Sequence, residues 1–599
     1  MRFLGSTKRV AARQFLALCL AGAFFGATPP ALAVTSFGDV DISPEPTPVG
    51  RSEHGYVEYR FVLVNRSPRD AHVVGLVMGE LRGGLRISRS VKLGPSSTAQ
   101  VSLFQPPIPS YDNNATVYLD GERRGEPLFL QSVPHLVYGY GGYGTPRCVL
   151  VSRDLTLDFE KAFAPPAGRR TTPTYPGEGT FAKAETPVTS WSQNWLGYSR
   201  YDGIVVTGED MRRMPPDVQT AVIRYVECGG SLLVLGSWTV PGDWRGWEKQ
   251  EAGMSVCYMG FGECMVLPEG DAARLTLEQL RRLAESWQHP QQTRSQSAGV
   301  KAANEMFPVI EKFGVPVQGM FILVLAFAIV IGPLNLLILS RKRRRIWILW
   351  TVPAISLVTC LAVSAYALFS EGLRAYFRTE GFTILDETSH RATTIGMTAF
   401  YSALTPGDGL HFGYETELTP QVEMGYGYQD SRSRSADWTN DQHLSRGWIT
   451  ARVPAHFIVR KSEARRERVA VRRNQDGSLS VVNGLGAKVL ELWLADVDGN
   501  IHHAESIRAG AEANLSPRAD SVRATASVDL LHEAFASSWL EAVTQFSEFP
   551  ETYLRPGCYI ALLDEAPFIE QGLRGASPRK CRSLVYGIMK GEGDGNQGL

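Results

Sequence analysis

The chain has no excess of charge of either sign: 61 lysines and arginines stand against 61 aspartates and glutamates. A global electrostatic pull on nucleic acid is therefore excluded. Cysteine is sparse, 8 in 599 residues, and none of it has zinc-finger spacing. No HExxH pair occurs, and His502-His503 puts neighbours on opposite faces of a strand, a poor chelating arrangement. Asp496-Val497-Asp498-Gly499-Asn500 lacks the downstream glutamate of a calcium loop and reads as a hairpin turn. The sequence thus points to no metal and no cofactor.

Long apolar runs are what the chain does have. Val317–Leu339 and Ile346–Phe369 are each about the length, roughly 20 residues, that a helix needs to cross a bilayer. Neither contains Asp, Glu, Lys or Arg, which makes a poor ion path. Gly332-Pro333 should kink the first, and Asn335 offers a hydrogen bond to the second. Between them lies Arg341-Lys342-Arg343-Arg344-Arg345, so residues 340–345 read as a cytoplasmic basic turn. The expectation is a transmembrane hairpin, 317–339 and 346–369, in a bacterial inner membrane with both flanking regions outside the cytoplasm. The N-terminus agrees. Arg2, Lys8, Arg9 and Arg13 precede an apolar core from Phe15 to Phe25, and Ala31-Leu32-Ala33 has the pattern of a signal-peptidase site. Residues 1–33 read as a signal peptide.

Six cysteines then face an oxidising compartment: Cys148, Cys228, Cys257, Cys264, Cys558 and Cys581. Cys257 and Cys264 bracket a tight hairpin and could bridge locally. Cys558 and Cys581 each begin an apolar run and could pair across a sheet. Buried free thiols are the alternative for both.

A chain this long has room for three or four domains of about 100–200 residues. Residues 34–138 alternate with a period of two and suggest an Ig-like β-sandwich. Gly139 to Gly144 reads as a linker. Residues 147–290 change period. Arg147 to Val151 is a buried-strand run, a polar insertion follows, and Tyr201-Asp202-Gly203-Ile204-Val205-Val206-Thr207-Gly208 is a second strand. Pro215-Pro216 opens a helix with apolar Val218, Ala221, Val222, Tyr225 and Val226, closed by Gly229-Gly230. Ser231 to Gly236 is a third strand, and strand, helix, strand in that order implies a parallel sheet. Residues 380–599 return to β patterning. There Val481-Val482-Asn483-Gly484 before Val489 echoes Leu63-Val64-Asn65 before Val73, suggesting two related sandwiches. The predicted fold class is a multidomain α+β membrane protein: N-terminal β-sandwich, α/β flavodoxin-like domain, two-helix hairpin, and a mainly-β C-terminal domain.

The run from Tyr201 to Val206, then Ile223 to Val226, then Gly229 to Gly236, resembles the class I glutamine-amidotransferase-like fold. That fold also serves in auxiliary subunits of ABC transporters. With Val315-Pro316-Val317-Gln318-Gly319 and Gly332-Pro333-Leu334-Asn335, the whole layout is similar to that of bacterial envelope membrane proteins carrying such a domain. The catalytic branch of the family needs a cysteine on a strand-to-helix elbow, then a histidine and a glutamate. Here the matching strand end is Gly236-Ser237-Trp238, Pro241-Gly242 interrupts any helix, and the nearest downstream histidine is His289. Cys228 lies on the wrong side of the strand. The resemblance therefore implies a domain without the triad.

Three functions follow as expectations. The first is a non-enzymatic accessory or scaffold protein binding a membrane-protein partner, such as a transporter complex. The second is an envelope hydrolase or amidotransferase using Ser237 or a cysteine. The third is a carbohydrate or cell-wall binding module on an aromatic loop of Trp238, Trp244 and Trp247 beside Ser237.

Overall fold

Strand alternation organises most of this chain. In Val57–Asn65, Val57, Tyr59, Phe61 and Leu63 point into the core, while Glu58, Arg60, Val62 and Val64 take the other face. A computed structural model describes residues 34–48, 51–52, 54–79, 84–108, 114–130, 135–136, 148–163, 180–240, 247–268, 275–287, 300–310, 317–342, 345–371, 374–421, 433–518, 523–536 and 539–590. The segments expected as signal peptide (1–33) and glycine linker (139–144) lie outside these residues. So do Val315-Pro316, Arg343-Arg344, Trp244 and His289.

Val57–Asn65 pairs with Val40–Pro44 and Thr98–Gln105 in a four-stranded sheet. The facing seven-stranded sheet holds His72–Met78, Leu85–Leu93, Asn114–Leu119 and Glu122–Phe129. Its remaining strands come from far along the chain: Arg434–Asp437 adds in parallel to Leu85–Leu93, followed by Gln442–Arg446 and Leu410–Phe412. One apolar core runs through Phe61 and Leu103, Tyr225 and Val234, and Phe400, Phe412 and Trp438. Residues before and after the apolar segment therefore share a single folded body. Phe307 and Val309 on one side of that segment and Phe377 on the other are all buried in it.

This architecture corrects the expected fold class. Among the described residues strand accounts for 42% and helix for 24%, so the molecule is mostly β rather than α+β, and the flavodoxin-like α/β assignment is unsupported. Gly203–Thr207, Pro216–Glu227 and Ser231–Leu235 do form strand, helix and strand. They enter a seven-stranded sheet in which Gly262–Leu267 continues the parallel run, and Met254–Met259 and Trp247–Glu251 then turn antiparallel. The two-helix hairpin is corrected too. Among the described residues one helix, Phe321–Arg341, is long and apolar enough to cross a membrane, whereas the second run, within the helix Ile348–Glu371, supplies only the shorter apolar stretch Ile348–Ser364. A 3-10 turn at Arg345–Trp347 delays its start, and Pro333 turns Val330–Leu334 of the first helix into a π-helical stretch. Asn335 Nδ2 donates to Thr351 Oγ1 at 2.9 Å.

Cys257 and Cys264 sit directly opposite each other on the hairpin Met254–Met259/Gly262–Leu267, as buried free thiols. Burial pushes the Cys264 thiol up, and neighbouring Cys257 and Glu263 add to this. The Cys558–Cys581 pairing is corrected by register. Cys558 lies opposite Ile588 while Leu563 lies opposite Ser583. The two cysteines are thus at opposite ends of an antiparallel pair, beyond the reach of a disulfide.

The echo between Asn65 and Asn483 has a structural counterpart. Asn65 Nδ2 donates to Asp70 O and Gly94 O, both at 2.8 Å, while its Oδ1 accepts from Ser67 N at 3.0 Å. Asn483 Nδ2 donates to Ala487 O (2.9 Å) and Ile507 O (3.0 Å), and its Oδ1 accepts from Leu485 N (3.0 Å). In each case one buried amide ties the end of a strand to two later turns. Asn483→Ala strands two carbonyls and one N–H, so a loss of about 1–3 kcal/mol is expected. A urea midpoint unchanged from the parent would contradict that role.

Candidate ligand site at the junction of the sheets

The polar face of Val57–Asn65 looks into a cavity rather than into open water. Glu58 and Arg60 share it, and across the strand pair stand Phe104, Ser102 and Gln100 at every second position. Arg89 reaches in from Leu85–Leu93. Ser192, Gln193 and Asn194 come from the segment before the 3-10 turn Trp195–Gly197. The far wall is Gly413 to Thr416, Lys461 to Glu463, and Glu570. The cavity measures about 550 Å³, within the range of small-ligand sites.

Its charges are largely tied down. Glu58 Oε1 accepts from Ser102 Oγ (2.6 Å) and Ser192 Oγ (2.9 Å). Burial pushes its carboxyl up, and the opposing pull of Arg60 and the two serines does not cancel this. Arg60 Nε pairs with Glu45 at 3.2 Å, and its Nη1 donates to Ser190 O. Glu570 takes hydrogen bonds from Lys461 Nζ (2.6 Å), Gly413 N (2.6 Å) and Thr416 Oγ1 (3.0 Å). Burial raises the Glu570 carboxyl, but Lys461 and these donors outweigh it and hold the group below its ordinary value.

The aromatic side of the cavity is Tyr414. Its ring stacks on buried Trp438 at 6.2 Å, its hydroxyl reaches Thr439 O at 2.9 Å, and the Arg89 guanidinium lies over it at 5.5 Å. Arg89 Nη1 donates to Ser102 O (2.8 Å), whereas its buried Nε has no partner among the described residues. A buried donor left without an acceptor costs roughly 1–3 kcal/mol.

None of the sequence-predicted site residues among the described residues lines this cavity. Ser237 is exposed in the turn after Ser231–Leu235; its carbonyl accepts from Arg212 Nη1 at 2.9 Å. Among the described residues no histidine or carboxylate hydrogen-bonds its Oγ. Trp238 is half-buried against the main core, and Trp247 begins the edge strand Trp247–Glu251 opposite Tyr258. Cys228 is buried at the end of Pro216–Glu227, where its carbonyl accepts from Arg460 Nη1 at 3.0 Å. The cavity residues themselves gave only a weak signal, the alternation Glu58/Arg60 and Gln100/Ser102. Alternation does not distinguish a solvated face from a covered one.

No family model matches the chain, and no curated protein matches it.

Proposed function

We propose that this is a non-enzymatic, membrane-attached protein of the bacterial cell envelope whose folded body binds a polyhydroxylated, glycan-type ligand. The observation that carries the reading is the cavity of about 550 Å³ walled by acceptors and donors in alternation beside the Tyr414 ring. Each sugar hydroxyl is both donor and acceptor, which suits a wall holding Glu58 and Glu463 alongside Arg89, Gln100 and Asn194. The tying of Glu58 and Glu570 to structural donors favours binding over acid–base chemistry.

Attachment is assigned to Phe321–Arg341. An accessory role beside a membrane-protein partner, such as a transporter component, rests on the same helix, which carries no charged residue from Phe321 to Ser340.

The test is calorimetric titration of the detergent-solubilised chain with soluble peptidoglycan fragments. Tyr414→Ala and Arg89→Ala should each weaken binding about tenfold or more, corresponding to about 1.4 kcal/mol. Fragments that fail to bind, or that bind both variants as they bind the parent, would sink the glycan reading.

A further inference from the structure

A second cluster of chemistry-bearing side chains lies outside that cavity, on the sheet formed by Leu410–Phe412 and Gln442–Arg446. His411 and His443 are direct cross-strand partners, so both imidazoles project from one face. Their rings stack with centroids 4.1 Å apart and planes within 11°. Gly409, in the left-handed conformation at φ 65°, turns the chain so that Asp408 joins them. One ligand-type atom each from Asp408, His411 and His443 lies within 4.8 Å of the others.

The hydrogen bonds fix one nitrogen of each ring as a donor. Asp441 Oδ2 accepts from His411 Nδ1 at 2.8 Å, which turns His411 Nε2 toward Asp408 Oδ1 at 3.3 Å. That contact is too poorly aligned to be a hydrogen bond, and Nε2 is buried with no hydrogen-bond partner among the described residues. His443 Nε2 donates to Asp408 O at 2.8 Å, leaving Nδ1 as its lone-pair nitrogen. A carboxylate behind a ligating histidine is the usual arrangement around protein-bound metals, where it fixes ring orientation and raises basicity. Arg574 Nη1 touches Asp408 Oδ2 at 3.2 Å, so Oδ1 is the oxygen left to ligate.

We infer that Asp408, His411 and His443 form a binding site for a divalent cation of the borderline class, such as Zn²⁺ or Co²⁺, with Asp441 positioning His411. Two imidazoles and one carboxylate are a nitrogen–oxygen set suited to these ions. Asp408 is exposed, so a further coordination position opens to solvent. Binding releases any proton that His411 Nε2 holds between the two carboxylates. The site is independent of the glycan reading and stands or falls separately.

The test is titration of the metal-free full chain, in detergent, with Co²⁺ and then Zn²⁺. The chain should bind one Co²⁺ with visible d–d bands and without the near-ultraviolet charge-transfer band of thiolate ligands, and Zn²⁺ should displace it. His411→Ala and His443→Ala should abolish those bands, and Asp441→Asn should weaken binding about 10–100-fold. Arg574→Ala removes a competing cation and should tighten binding, a gain that misfolding would not produce. Absence of Co²⁺ binding, a thiolate spectrum, or d–d bands unchanged in both histidine variants would show that the cluster is an ion-pair clamp only.

Discussion

Replacing Arg460 with alanine should destabilise the folded body by about 3–5 kcal/mol. Arg460 lies directly across a strand pair from Glu417, with side chains 4% and 1% exposed, and Nη2 donates to the Glu417 carboxylate. Its other amino group holds Cys228 O, and the guanidinium stands 6.0 Å from the Trp195 ring. One side chain thus ties the C-terminal strand Ala455–Ala464 to the end of helix Pro216–Glu227 and to the segment beside the cavity. Without it, Glu417 is a buried charge with no counter-ion, and its Oε1 already has no partner among the described residues. Burying an ion pair costs desolvation that its attraction barely returns, so removing both charges is far milder than removing one. Arg460→Met with Glu417→Leu should recover most of the loss. Thermal midpoints of the two variants decide the matter. A single variant that melts with the parent would refute the argument.

Stability should fall as pH rises from about 4.5 to about 7, and Glu387 should account for much of that slope. Burial is the main cause that raises its carboxyl to about 7, even though Val469 N and Tyr559 OH each donate to it at 2.9 Å. Between the ordinary carboxyl value and about 7, the folded protein holds a proton that the unfolded chain has released. Stability from this group is therefore complete below about 4.5 and is lost as pH climbs through about 7. The full difference is about 3 kcal/mol. Glu387→Gln keeps an oxygen for both donors and carries no charge at any pH. Its urea midpoints should be flatter across the window and higher than the parent's at pH 8. An equal slope in both proteins would assign the titration elsewhere.

Local pattern was legible in this sequence, and long-range assembly was not. The helix Pro216–Glu227 and its flanking strands lie where apolar spacing places them, because each buries a face set by its own period. The Asn65 and Asn483 turns were readable as an echo because one amide does the same work twice. The cavity was invisible because its walls come from residues as far apart as Glu58 and Glu570. No periodicity records which polar face is covered by a distant loop. The metal cluster was missed for the same reason: Asp408 and His411 stand about thirty residues from His443, and only strand register makes the histidines neighbours. Cys558 and Cys581 looked pairable because each starts an apolar strand run. In an antiparallel pair, like positions in sequence lie at opposite ends in space.

The parallel addition of Arg434–Asp437 to Leu85–Leu93 sets a schedule for making this protein. Until Arg434 is synthesised, Leu85–Leu93 presents unpaired N–H and C=O groups along one side. At about 5–20 residues per second, the stretch between the two strands takes on the order of tens of seconds to emerge. The apolar segment must be handled within that interval. The first-made sheets therefore wait, incomplete, for chain that follows the membrane-competent helix. A polypeptide released before Arg434 keeps an open edge to offer to another copy.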